Sequence, residues 1–303
     1  MLFRSGQVQN SGTRAAIILQ VRIPRVICTA LTGASLALCG AAMQGLLKNP
    51  LADGSTLGVS SGASLGACLA IVLGGSAKGA GLLGTAGMSM LFAFISLLLI
   101  LSLAWRLDQS LSTNTIILMG VIFSMFINSI ITLLITFSSE KLKTFTFWTM
   151  GSLADSSWRK ALLLAGALAA AGCVILLHAG ELNAFAAGEE NARHIGVNIK
   201  RVRLTVLITV SILIGVCVSI GGTIGFVGLV TPHILRMITG PNHRRLLPAS
   251  LIGGSVFLLL ADLLARTILR PLELPVGAVT SFTGALLFVY IFYRRRTGKR
   301  ADI

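Results

Sequence analysis

The chain consists of long apolar runs separated by short polar stretches. A run of about 20 apolar residues is long enough to cross the hydrocarbon core of a bilayer as an α-helix. Lipid offers no water to backbone polar groups, and a helix satisfies those groups internally. Continuously apolar runs such as 97–102 also lack the alternation of a membrane β-strand. The pattern therefore predicts an all-α, polytopic transmembrane helical bundle, with residues 1–303 forming a single domain.

Nine segments along the chain are apolar enough to span the membrane. They lie approximately at 26–47, 57–73, 88–105, 114–137, 158–177, 203–219, 226–238, 247–269 and 276–292. The seventh is short and begins in a glycine-rich stretch. We therefore expect it to enter the bundle part-way and to be shielded by its neighbours.

Small residues recur at every fourth position in the first two segments. They are Gly33, Ala37, Ala41 and Gly45 in the first, and Gly58, Gly62, Gly66 and Ala70 in the second. Such a face lets helix backbones approach closely, which drives packing in lipid. Both helices are therefore expected at the centre of the bundle.

Composition and charge exclude two classes of protein. A hydrophobic content of 54% and a mean hydropathy of +0.88 are too apolar for a soluble globule. The net charge of +15 would suit nucleic acid, but the basic residues lie mostly between apolar runs and in the tail 293–303. Cytoplasmic loops normally carry such charge. We therefore place the tail in the cytoplasm and, with nine spans, the N-terminus outside, and we expect no nucleic-acid partner.

Titratable residues show no pattern of a catalytic or metal site. The five cysteines lie within or beside apolar runs without a C-x-x-C pair, and we interpret them as small buried hydrophobes. His233 has no second ligand at metal-binding spacing, so we favour a structural role over a metal or proton-relay role. We predict no metal site, no bound cofactor and no enzymatic activity.

Three motif stretches occur in order along the chain. The first joins Arg22-Ile-Pro-Arg25 to Gln44-Gly-Leu-Leu-Lys-Asn49-Pro50-Leu-Ala52, and the second is the polar run 182–196. The third begins at 225–236, Gly-Phe-Val-Gly-Leu-Val-Thr-Pro-His-Ile-Leu-Arg, and continues with Asp262, Arg266 and Glu273-Leu-Pro-Val-Gly. Together they resemble the FecCD-type permeases, the membrane subunits of ABC importers for iron-siderophore, haem or cobalamin.

The resemblance implies ten spanning helices, with short cytoplasmic coupling helices. One full span usually precedes the arginine signature of the family, whereas only residues 1–21 precede it here. We therefore expect a short N-terminal segment, with the family's first span missing.

The resemblance also implies three arginines that dock an external binding protein. Arg22, Arg25 and Arg266 would form salt bridges with acidic residues on the two lobes of that protein, where complementary charge sets orientation and on-rate. For Arg22 and Arg25 the alternative is interfacial anchoring by snorkelling. Asp262 lies one turn before Arg266, so the two can neutralise each other at i, i+4.

The polar run within residues 178–202 resembles the coupling element of importer permeases. A rigid helix there would seat in a groove of the ATPase and move with it. The residues implied are Gly188, Glu189, Glu190, Ala192, Arg193, His194 and Gly196. An ordinary solvated loop is the alternative interpretation.

The fourth span resembles the helix that follows the family's translocation path. Hydroxyls and an amide suit a passage for a bulky polar chelate, and interhelical hydrogen bonding is the alternative. The path and gate residues implied are Ser112, Thr113, Asn114, Ser124 and Asn128. The remaining motif residues are expected to be structural: Asn49, Pro50, Pro232, His233, Arg236, Asp262, Glu273 and Pro275.

These observations predict the permease subunit of an importer that moves ferric siderophore across the bacterial cytoplasmic membrane by alternating access. No G-x-x-x-x-G-K-[ST] phosphate loop occurs, so ATP would be used by a partner chain. The expected partners are a second permease copy, identical or paralogous, two cytoplasmic ATPases, an extracytoplasmic substrate-binding protein and membrane lipid. Import of haem or cobalamin is the alternative cargo. An ion-coupled secondary transporter and an intramembrane enzyme are the rivals from other classes.

Overall fold

The computed structural model describes residues 14–74, 84–109 and 112–298. Within these residues the regular structure is entirely helical. The twelve helices that matter here are α1 (Arg14–Leu46), α2 (Val59–Val72), α3 (Thr85–Leu107), α4 (Thr113–Phe137), α5 (Leu142–Thr149), α6 (Trp158–Leu177), α7 (Ala179–Ala186), α8 (Glu189–His194), α9 (Ile199–Gly221), α10 (Val227–Thr239), α11 (His243–Thr267) and α12 (Val276–Gly298).

Each of the nine predicted spans coincides with one helix, which confirms the polytopic all-α prediction. Among the described residues, six helices are long and apolar enough to cross a membrane: α1, α3, α4, α6, α9 and α11. The apolar parts of α2, α10 and α12 are shorter. Two expected boundaries were wrong, because residues 14–21 continue α1 rather than precede it, and α12 extends to Gly298 into the predicted tail. Residues 1–13 and 299–303 of the predicted terminal segments lie outside the described residues.

Helix α1 lies at the centre of the bundle. It is the most buried of the long helices and packs against α6, α9, α10 and α11. A Cβ on Gly33 would overlap the backbone oxygen of Gly254 in α11, and a Cβ on Gly40 would overlap the backbone oxygen of Gly228 in α10. Gly33 of the predicted small-residue face therefore contacts a neighbouring backbone, as predicted, and Gly40, outside that face, does the same.

The short helix α10 begins inside the bundle. Its N-cap residue, Phe226, has a φ of 67°, and the preceding Gly222 has a φ of 69°. Val227, Val230 and Pro232 are buried, which confirms that neighbouring helices shield this segment.

Of the five cysteines, four are buried as predicted and Cys173 is exposed. Cys173 lies on α6, only 28% of whose apolar window is buried inside the bundle, and it borders an apolar groove of about 690 Å³. A thiol on a lipid-facing helix needs no burial within the protein because lipid is itself apolar.

Candidate functional site

One end of the bundle carries a cluster of four charged residues. Arg25 on α1 is buried and lies between two carboxylates: its Nη2 donates to Asp262 Oδ1 at 2.9 Å and its Nη1 donates to Glu273 Oε2 at 2.8 Å. Arg266 Nη2 lies 2.9 Å from Asp262 Oδ2, so the predicted i, i+4 pair is present. The cluster joins α1, α11 and the segment before α12, and its charges cancel.

The three predicted docking arginines therefore stand in different environments. Arg22 is exposed, Arg266 is partly buried beside Asp262, and Arg25 is buried with two acidic partners. Arg22 is the most accessible to a protein approaching this end. Glu273 is half exposed, so the cluster itself also reaches the surface.

At the opposite end, the predicted coupling element forms α7 and α8. Gly188 precedes α8 with a φ of 119°, and Gly196 follows it with a φ of 85°. Gly196 N donates to Arg193 O and Val197 N donates to Ala192 O, the bond pair of a Schellman cap. Glycine is favoured at both positions because positive φ strains other residues. The two glycines therefore bracket a short helix, as the sequence predicted.

One face of helix α8 is packed against the bundle, and the other is exposed. Ala192 is fully buried in the largest hydrophobic core cluster, which also contains residues of α1 and α9. Glu190, Arg193 and His194 are exposed, whereas Glu189 turns inward and pairs with Arg203 of α9. This arrangement is a protruding helix on a packed base, and not a solvated loop.

The predicted path residues at the start of α4 and along it fall into two groups. Ser112 and Ser124 make local hydrogen bonds, whereas Asn114 and Asn128 are exposed. Ser124 Oγ donates to Gly120 O at 2.8 Å within its own helix, and Ser112 Oγ lies 2.9 Å from Thr115 Oγ1 at the helix start. These hydroxyls are locally satisfied. Thr113 is partly buried and Asn114 is exposed, both in the first turn of α4. Asn128 is exposed and borders a cavity.

That cavity has a volume of about 390 Å³ and lies between α1, α2, α4, α9, α10 and α12. Its polar lining residues are Asp53, Ser60, Ser61, Ser64, Asn128, Thr223 and Ser281. We name it the polar cavity. Only Asn128 among these was expected from sequence. The serines of α2 escaped notice because Ser60-Ser61-Gly-Ala-Ser64 also fits the small-residue packing pattern.

Most motif residues predicted to be structural have structural contacts. Asn49 Oδ1 accepts a hydrogen bond from Leu51 N at 2.9 Å across Pro50, which forms a turn. His233 is buried and its ring lies 5.9 Å from that of Phe288. Among the described residues, no group of three His, Cys, Asp or Glu side chains could hold a metal ion.

Gln44 is a structural residue that the sequence interpretation missed. Pro232 lies inside α10 and has no N–H, so Gly228 O loses its helical donor. Gln44 Nε2 of α1 lies 3.4 Å from Gly228 O and 3.2 Å from Leu229 O, and Arg236 Nη2 donates to Gln44 Oε1 at 3.0 Å. The proline-induced gap is thus closed by a neighbouring helix. A glutamine in an apolar run was the available signal.

Comparison with known proteins decides the family. The profile of the FecCD transport family matches residues 2–294. The chain belongs to this family. A FecCD permease is the membrane subunit of an ABC importer, located in the membrane as a multi-pass protein, and this chain is such a subunit.

Two relatives and one solved structure illustrate the similarity. The uncharacterized ABC transporter permease protein YvrB of Bacillus subtilis is 41% identical over 94% of this chain and 81% of its own length. The hemin transport system permease protein HmuU of Yersinia pestis is 39% identical over 92% of this chain and 84% of its own length. A solved structure of the metal-chelate type ABC transporter class, in an inward-facing conformation, has a TM-score of 0.86 and 34% identity over 93% of this chain and 89% of that chain.

Proposed function

We propose that this FecCD permease imports ferric siderophore, and that the chelate passes through the polar cavity as an intact complex. Hydroxyl and amide groups hydrogen-bond to a polar chelate without competing for its metal, which prefers carboxylate, thiolate or imidazole ligands in proteins. The polar cavity offers such neutral groups, with Asp53 as its one acidic residue.

The observation that carries the proposal is the position of Asn128. Its side chain lies on the exposed face of α4 and at the edge of the polar cavity. An amide facing lipid would lose its hydrogen bonds, which is costly in hydrocarbon. Facing a water-filled path, the amide keeps them. Exposed Ser129, Thr132 and Thr136 extend the same polar face.

This face also supports a second permease copy as partner. Large apolar residues flank the polar stripe on α4, among them Met125, Phe126 and Leu133. Two copies meeting along α4 would enclose the stripe between them and would double the cavity volume, which by itself is small for a chelate. The path would then run between the copies.

The two ends of the bundle support the remaining partners. Exposed Arg22 at one end fits an external binding protein with acidic lobes. Protruding α8 at the other end fits a groove of a cytoplasmic ATPase, two of which would serve the pair. ATP binding would move α8, and the path would switch sides by alternating access.

Haem is the second candidate cargo because HmuU, named as a hemin permease, is 39% identical. One experiment tests these two cargoes and cobalamin. Uptake of ⁵⁵Fe-siderophores, ⁵⁵Fe-haem and ⁵⁷Co-cobalamin is measured in cells that lack the gene and in the same cells after the intact gene is returned. Arsenate, which depletes ATP, should stop uptake, and a protonophore should leave it largely intact. Restored uptake of haem or cobalamin alone would contradict the siderophore proposal.

A further inference from the structure

The segment formed by α7 and α8 is tied to α9 by a buried ion pair. Arg203 of α9 is 1% exposed, and its Nη2 donates to Glu189 Oε1 at 2.6 Å. The guanidinium carbon lies 5.8 Å from the ring centre of Phe185 in α7. A buried arginine is tolerated only with such partners, because an unpaired charge there is strongly destabilising. Arg203 therefore holds the first residue of α8 and the end of α7 at once.

The same segment is tied to α11 by an amide. Asn183 Oδ1 of α7 accepts a hydrogen bond from His243 N at 2.8 Å and lies 2.9 Å from His243 Nδ1. Asn183 Nδ2 donates to Asn242 Oδ1 at 2.9 Å, and that oxygen also caps α11 through Arg244 N. Asn183 thus contacts the cap of α11 with both atoms of its amide.

Packing prevents the segment from sliding over its base. Leu182, Phe185 and Ala192 are fully buried, and they share one core cluster with Val202 and Val206 of α9. Close-packed interiors transmit displacement and do not absorb it. A force on the exposed face of α8 must therefore move α9 and α11 as well.

The far part of α9 borders the polar cavity through Ile214 and Val218. The N-terminal end of α11 packs on the central helix, since a Cβ on Gly45 of α1 would stand 2.3 Å from His243 Nε2. Movement of α9 therefore changes a wall of the cavity, and movement of α11 is passed to α1.

We infer that Arg203 and Asn183 are positioning residues that transmit the movement of α8 to α9 and α11. The inference rests on the proposed function of α8 as the ATPase contact. Neither residue would touch cargo or nucleotide. Arg203 acts through Glu189, and Asn183 acts through Asn242 and His243.

The test uses the complete importer in proteoliposomes: this chain together with its ATPase and its binding protein. The measured quantity is cargo transported per ATP hydrolysed. Arg203→Gln and Asn183→Ala should each lower this ratio about tenfold, within the range for residues along a coupling route. ATP hydrolysis itself should stay within about twofold of wild type. Arg245→Gln, an exposed arginine at the same end, should change neither quantity.

Charge exchange separates transmission from simple stability. The double variant Arg203→Glu/Glu189→Arg restores the ion pair with reversed polarity, so it should recover most of the ratio that Glu189→Arg alone loses. If transport and ATP hydrolysis fell in proportion, the pair would be merely structural and the inference would be overturned. A double variant with a ratio no higher than that of the single variants would overturn it as well. An unchanged ratio in Arg203→Gln and Asn183→Ala would also overturn it.

A crosslink distinguishes this inference from the proposed function beneath it. Arg193→Cys places a thiol on the exposed face of α8, and Cys173→Ala removes the exposed native thiol. The new cysteine should crosslink to the ATPase both in the otherwise wild-type complex and in the complex that carries Arg203→Gln. Absence of the crosslink in both would refute the ATPase contact itself. A crosslink in both with an unchanged transport ratio would refute only the positioning role.

Discussion

Arg25 and Asp262 are 237 residues apart in sequence and form a buried ion pair, with Arg25 Nη2 2.9 Å from Asp262 Oδ1. Asp262 has no exposed surface, and it also pairs with Arg266. One carboxylate thus contacts two guanidinium groups on two helices, and Glu273 supplies the second negative charge of the cluster. Burial makes this relationship a stability determinant as well as part of a candidate docking surface.

We expect Asp262→Ala to lower the free energy of unfolding by about 3–5 kcal/mol, because it leaves Arg25 buried with only half-exposed Glu273 as partner. Thermal unfolding in detergent measures the effect. The control is Asp155→Ala, which breaks an exposed pair with Lys160 and should cost about 1 kcal/mol or less. Equal shifts for the two variants would contradict the structural role of Asp262.

We expect Arg22→Glu to slow association of the external binding protein about tenfold at low salt without lowering thermal stability, because Arg22 is exposed. Arg25→Glu should instead reduce both association and stability, since it places a third acidic group beside buried Asp262 and half-exposed Glu273. Surface plasmon resonance at several salt concentrations, with unfolding curves for each variant, separates the two cases. An association rate that Arg22→Glu leaves unchanged would refute docking at Arg22.

We expect Gly33→Ala to destabilise the bundle by about 1–3 kcal/mol, the usual cost of overpacking. Its Cβ would meet the backbone oxygen of Gly254, which cannot rotate away as a side chain can. Gly166→Ala is the matched control, because a Cβ there has no neighbour within 4 Å and alanine is the better helix former. Thermal unfolding should show a loss for Gly33→Ala and no loss for Gly166→Ala; the reverse order would contradict the close approach.

We expect Asn128→Leu to reduce cargo uptake about tenfold, the effect of removing one hydrogen bond worth about 1.4 kcal/mol. Ser102→Ala is the control, because Ser102 is exposed on α3, outside the polar cavity, and its hydroxyl donates to Leu99 O within that helix. Uptake assays with membrane levels of each variant measured by immunoblot make the comparison. Similar uptake by the two variants would place the path elsewhere.

Local pattern was sufficient for the helices and for the motif residues that act within them. Apolar length alone located nine helices, six of which are long enough to cross a membrane within the described residues, since lipid leaves a segment little choice but a helix. The i, i+4 pair Asp262–Arg266 and the helix between Gly188 and Gly196 followed from spacing within one element. Boundaries next to polar residues were less certain, and the start of α1 at residues 14–21 was misplaced because these residues precede the arginine motif.

The tertiary structure alone decided which charged and polar residues meet. Arg25 was expected to dock an external binding protein, and folding gives it two partners within the chain, Asp262 and Glu273, 237 and 248 residues away. Gln44 reaches the gap made by Pro232, and Arg203 reaches Glu189 across a turn. Spacing along one helix cannot specify such pairs, because their partners depend on how helices pack and rotate against one another. Apolar length determined that this chain is a membrane bundle, and helix packing determined where its charges are neutralised and where its polar cavity lies.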